Sequence, residues 1–196
     1  MDGLSPQVQE GLIRLLTRNR RSTSARCEDG VDLYRASCYE TSFIDGGPPT
    51  VCRAPLPSKP ADVIVGKKLP IFMYIHGGGF FIGSPYEPMY HNYLVSVVAA
   101  AVVVAVSIEY RLAPKHLLPS AYDDAFTAFD WILSRADPWL AERGDYERLF
   151  VSGGSAGANI AHNLTMKRGV RIEGMILTHP YFWGATPIDG EITIPL

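Results

Sequence analysis

Cysteine is scarce in this sequence, and all of it lies in one region. The three cysteines are Cys27, Cys38 and Cys52; none forms a C-x-x-C pair, and no cysteine follows residue 52. An odd, sparse count excludes a disulfide framework and reads as reduced thiols in a cytoplasmic-type compartment. No Cys/His spacing marks a metal site, and no cofactor is expected. Charge of one sign is also lacking: 18 basic residues stand against 20 acidic ones, for a net −2. That excludes a general electrostatic grip on nucleic acid or on an anionic membrane. A membrane-length apolar run is missing too. The uncharged stretch Leu94–Ile108, LVSVVAAAVVVAVSI, has 15 residues, where a span needs about 20. It reads as a buried helix end running into a buried strand. The N-terminus, MDGLSPQVQEGLIRLL, has no basic segment followed by an apolar one, so no secretory signal is expected. TRNRRSTSAR after it is Arg- and Ser-rich like a transit peptide, a reading that Asp2 and Glu10 oppose.

What is present suits one globular domain with a sizeable core: 196 residues, 47 % apolar and 19 % charged. Residues 5–18 suit a short amphipathic helix with Val8, Leu12, Leu15 and Leu16 on one side. The stretch GGPPTVCRAPLPSKP is loop-like, and its prolines oppose central strand pairing, so strands near 31–35 and 39–44 should lie at an edge. Beyond residue 66 the pattern sharpens. Strands are expected at 69–76, 102–110, 149–153 and 172–178. Helices are expected at 85–100, 120–135 and 156–167. In the second helix Ala125, Phe126, Phe129, Ile132 and Leu133 face inward. Alternating strands and helices make the fold class α/β, with a mostly parallel sheet and helices on both faces.

Two motifs carry chemistry. VSGGSAGANIAH at 151–162 contains G-x-S-x-G where a strand meets a helix, the context in which a serine hydroxyl is presented on a tight turn. Ser155 is the candidate nucleophile. A Gly-rich helix start that binds an anion is the plainer alternative. His76-Gly77-Gly78-Gly79-Phe80 follows the first strong strand. Consecutive glycines free backbone N–H groups to meet a developing oxyanion, and the residue after the nucleophile, Ala156, supplies another donor. HGGGF fits neither of the common phosphate-binding glycine patterns.

HGGGF, EYRLAPKHLLPSAYDDA at 109–125, SGGSAGANIAH and THPYFWG at 178–184 together resemble the plant carboxylesterase family, in the hormone-sensitive-lipase-like branch of the α/β-hydrolases. The resemblance covers residues 67–188. It implies Ser155 as nucleophile, Gly78, Gly79 and Ala156 as oxyanion donors, and His76 and Gly77 framing the oxyanion loop. It divides the chain into an N-terminal cap or edge-strand segment, 1–66, and the N-terminal part of a catalytic domain, 67–196. Gly154 departs from the family, which usually has Asp before the nucleophile.

The acid and base are harder to find. In this fold the order is Ser, then Asp or Glu, then His. His162 lies two turns along the same helix, about 10 Å from Ser155. His179 precedes Asp189, which reverses the order. His76 is expected to be structural, and the pattern assigns no acid to His91 or His116. Asp123 and Asp124 are expected to cap a helix or satisfy Arg111. Trp183 has the best claim among the tryptophans to a pocket wall. Asn163-Leu164-Thr165 is a formal glycosylation sequon on an expected core helix.

The expectation is therefore a carboxylic-ester hydrolase, truncated before its acid and histidine and doubtful in activity. The resemblance also admits a dehydratase of the same family and a non-catalytic receptor similar to the gibberellin receptors. The partner is a small-molecule ester or ligand, and an open sheet edge is available for self-association.

Overall fold

The computed structural model describes residues 40–43, 50–53, 67–168 and 171–182. The expected helix at 5–18, the strand near 31–35, Trp183 and Asp189 lie outside these. Among the described residues six strands form one sheet: β1 (Glu40–Phe43), β2 (Thr50–Arg53), β3 (Leu69–Ile75), β4 (Val104–Glu109), β5 (Gly144–Gly154) and β6 (Gly174–Thr178). Their order across the sheet is β1-β2-β4-β3-β5-β6. β4, β3, β5 and β6 run parallel, and β2 and β1 are added antiparallel. The helices are α1 (Pro88–Ala101), α2 (Ser120–Ser134), α3 (Pro138–Arg143) and α4 (Ala156–Arg168).

β1 takes the edge, as expected of a strand near 39–44. β2 does not: it pairs with β1 on one side and with β4 on the other. It falls inside the Pro-rich stretch, but Thr50–Arg53 is a proline-free window between Pro49 and Pro55, so all four residues keep an N–H for the ladder. α3 was not anticipated either. Its start is nonetheless written in the sequence: Asp137 accepts from the Leu140 N–H at 2.7 Å, and Pro138 fills the first helical position. β5 begins five residues earlier than its apolar core suggests, at Gly144. Its register against β3 shifts after Pro70, which leaves Tyr146–Arg148 between two paired stretches.

Alternation along the strands splits the core into two layers. Ile71, Met73, Ile75, Val104, Val106, Ile108, Leu149 and Val151 face α2 and α4, where they meet Phe129, Ile132, Ile160 and Leu164. Phe72, Tyr74, Ala105 and Phe150 face the other way, onto Leu94, Val97 and Val98 of α1. Helices therefore cover both faces. In α2, Ala125, Phe129 and Ile132 are buried, with Phe126 and Leu133 packed against the cluster. The apolar stretch 94–108 runs from α1 into β4. No helix among the described residues is long and apolar enough to cross a membrane.

This layering fixes where a site can lie. β3 is followed by α1 on one face, and β5 by α4 on the opposite face. β3 and β5 are neighbours, so their carboxyl ends open a crevice between diverging connections. That is where α/β sheets bind ligands.

Candidate active site

The two motifs meet in that crevice. Ser155 joins β5 to α4 with φ of 52°, left-handed for a residue with a Cβ, a conformation that costs about 1–2 kcal/mol. Its side chain is exposed. The flanking glycines make room for the turn. A Cβ at Gly153 would collide with the Gly157 carbonyl, and one at Gly157 with the carbonyls of Ile75 and His76. Gly154 is different: a Cβ there would meet only the Tyr74 hydroxyl, at 3.5 Å. The turn thus has room for a side chain at that position.

Both main-chain polar groups of Ser155 are tied to the end of β6. Its N–H donates to the Thr178 carbonyl at 2.9 Å, and its carbonyl accepts from the Tyr181 N–H at 3.3 Å. The first turn of α4 adds the N–H groups of Ala158 and Asn159 to the same carbonyl.

The HGGG loop leaves β3 beside this turn. A Cβ built on Gly77 would stand 3.3 Å from the Ser155 Cβ and 2.8 Å from the Gly154 carbonyl. Gly78 and Gly79 have φ of 108° and 61°, and the Gly78 carbonyl accepts from Phe81 and Ile82 N–H groups in a tight turn. Ala156 is fully buried at the start of α4.

Tyr110 supports the loop from below, a role that sequence reasoning missed. Its hydroxyl donates to the His76 and Gly77 carbonyls, 3.0 and 3.2 Å away, and its ring stacks on the His76 imidazole at 4.2 Å. The next residue, Arg111, is clamped to Asp124 of α2, with contacts of 2.7 to 3.0 Å. The Arg111 N–H also donates to Asp124. Asp124 satisfies Arg111, as anticipated, and so anchors the strand end that carries Tyr110. The Ala113 N–H reaches the Phe80 carbonyl, closing the loop's far side.

All five histidines lie among the described residues. His76 is fully buried; burial holds its pKa down at about 4, partly offset by the bond to the Gly77 carbonyl. Nδ1 lies 2.8 Å from that carbonyl, which makes Nδ1 the protonated nitrogen of the neutral ring; Nε2 is buried without a partner. His162 packs edge-on against Phe182, 5.1 Å between centroids. His91 sits on α1 and His116 in the loop before α2. His179 directly follows Thr178, is exposed and has φ of 46°. The residue before it, Thr178, accepts from the Ser155 N–H, and no hydrogen bond joins His179 itself to Ser155. The sequon asparagine, Asn163, spends its amide on the Asn159 carbonyl and side chain. Among the described residues no three His, Cys, Asp or Glu side chains group as metal ligands.

Residues 72–193 match the family model described as alpha/beta hydrolase fold. The chain is 48 % identical over 129 residues to "Probable carboxylesterase 3" of Arabidopsis thaliana, a match covering 63 % of this chain and 41 % of that one. It is 47 % identical over 136 residues to "Tuliposide A-converting enzyme 2, chloroplastic" of Tulipa gesneriana, covering 66 % and 35 %. Among solved structures it is similar to EstE1, a thermophilic carboxylesterase from a metagenomic library, with a TM-score of 0.56 and 29 % identity over 89 % of this chain and 53 % of that one. The chain spans less than half the length of these curated relatives. It belongs to the α/β-hydrolase family, and is carboxylesterase-like within it.

Proposed function

We propose that this α/β-hydrolase chain carries the nucleophile and oxyanion half of a carboxylic-ester hydrolase site. The observation that supports it best is the juxtaposition of Gly77 with Ser155 at the crevice between β3 and β5. In this reading Ser155 Oγ attacks the carbonyl carbon of a small acyl ester. The carbonyl oxygen gathers the negative charge and is met by the N–H groups of Gly78, Gly79 and Ala156. Collapse of the tetrahedral intermediate expels the alcohol and leaves the acyl group on Ser155; water then releases it as the carboxylic acid. Phe81 and Ile82, exposed just beyond the glycines, offer apolar surface to the acyl or alcohol group.

A base must take the Ser155 proton and return it to the leaving alcohol, from within about 2.6–3.2 Å. His76 is too weak a base and is turned onto Gly77, while His162 is committed to Phe182. His179 follows Thr178, which is hydrogen-bonded to Ser155, but it has no acid partner among the described residues. The half-site therefore stabilises the oxyanion without efficient proton transfer, as serine hydrolases stripped of triad members still do. Hydrolysis of a short p-nitrophenyl acyl ester tests this. The expected result is slow turnover that disappears in Ser155→Ala. Fast turnover independent of Ser155 overturns the nucleophile assignment, and fast turnover that depends on it overturns the missing base.

A further inference from the structure

We infer that Asn159 is a positioning residue of the nucleophile turn, acting through Tyr181. Asn159 stands one helical turn beyond Ser155 on α4, and its amide uses both ends. Oδ1 accepts from the Tyr122 hydroxyl of α2 at 2.8 Å and from Asn163 Nδ2 at 2.9 Å. Nδ2 donates to the Tyr181 carbonyl at 2.7 Å. The Tyr181 N–H in turn donates to the Ser155 carbonyl, and the Ser155 N–H to Thr178. The four residues Thr178–Tyr181 are thus stapled to the first turn of α4 by three hydrogen bonds, one of them from the Asn159 side chain.

The staple answers a physical need. A left-handed φ at a residue with a Cβ persists only where the surroundings over-determine it. The Thr178 and Tyr181 bonds on the two polar groups of Ser155 are such constraints, and Asn159 fixes the outer side of Tyr181. Asparagine is a poor choice for a helix on propensity alone. Here its amide supplies a donor to one element and an acceptor to another, which neither Asp nor an aliphatic residue can do. The functional consequence rests on Ser155 being the nucleophile; the staple itself does not.

Asn159→Asp separates the two halves of the amide, because it keeps the acceptor for Tyr122 and removes the donor to Tyr181. Two quantities are read on the full chain: amide hydrogen exchange in the peptide holding Tyr181, and the second-order rate of fluorophosphonate labelling at Ser155. In N159D the Tyr181 amide is expected to lose about three- to tenfold of its protection and labelling to slow by about the same factor, the scale of one ordinary hydrogen bond. Tyr122→Phe is expected to leave both within about twofold. Unchanged Tyr181 protection in N159D, or an equal loss in Y122F, overturns the assignment. If N159D does not fold, N159A is read in the same way. If wild type does not label, the nucleophile reading fails, while the exchange result still decides the staple.

Discussion

The Ser155 N–H donates to the Thr178 carbonyl at 2.9 Å, so the end of β6 and the Ser155 turn are one structural unit. β6 pairs with β5 in parallel, from Phe150↔Gly174 to Gly154↔Thr178. The ladder therefore runs to the residue before Ser155, and the Thr178 bond extends it by one step. His179 and Tyr181, just past the end of β6, inherit their position from the same turn.

The glycines around Ser155 should respond unequally to a methyl group. Gly157→Ala drives a Cβ into the Ile75 and His76 carbonyls, which are backbone and cannot swing away. Overpacking typically costs about 1–3 kcal/mol, and a clash with backbone belongs at the upper end. Gly154→Ala meets one hydroxyl at ordinary contact distance and should change stability by less than about 1 kcal/mol. Urea unfolding midpoints of the two variants check the contrast.

Asp124 is 2 % exposed and holds an Arg111 side chain that is 33 % exposed. Removing one partner of a buried pair typically costs about 3–5 kcal/mol. Solvent reaches Arg111 here, so Asp124→Ala is expected to cost about 2–3 kcal/mol. It also frees the strand end bearing Tyr110, so fluorophosphonate labelling at Ser155 should slow along with the fall in the unfolding midpoint. A loss of stability with unchanged labelling would show that the clamp does not reach the loop.

Burial lowers the His76 pKa from 6.5 to about 4. The unfolded chain then binds more protons than the folded one between those two values, so stability falls as pH drops from about 6.5 to 4. The contribution lost is about 3 kcal/mol across that window. Above pH 6.5 both states hold a neutral ring and the effect vanishes. Urea denaturation of wild type and His76→Asn at pH 7, 5.5 and 4 isolates it: the pH-dependent loss should be smaller in the variant by that amount.

His179 adjoins the turn, yet it reverses the usual acid-then-histidine order. His179→Ala should leave fluorophosphonate labelling of Ser155 within about twofold, whereas loss of an acting general base would lower reactivity by about 10²- to 10⁴-fold. A drop of that size would make His179 the base.

The two glycine-bearing motifs of the candidate site were legible because each is short and contiguous. Close approach demands glycine at Gly153 and Gly157, and glycine spacing survives in the sequence as a pattern. The four parallel strands were legible as apolar, β-branched runs. Asn159 and Tyr110 were not, since their partners lie 22 and 34 residues away and only the sheet's register brings them together. β2 was hidden by its flanking prolines, and the early start of β5 by Tyr146–Arg148, which the register shift leaves between two paired stretches.

The central claim is that Ser155 is a presented nucleophile facing backbone donors. Mass-spectrometric mapping of the full chain after treatment with a fluorophosphonate tests it most directly. The expected result is covalent modification at Ser155, absent in Ser155→Ala and retained in His162→Ala. Unmodified Ser155, or labelling elsewhere that persists in Ser155→Ala, would contradict the claim.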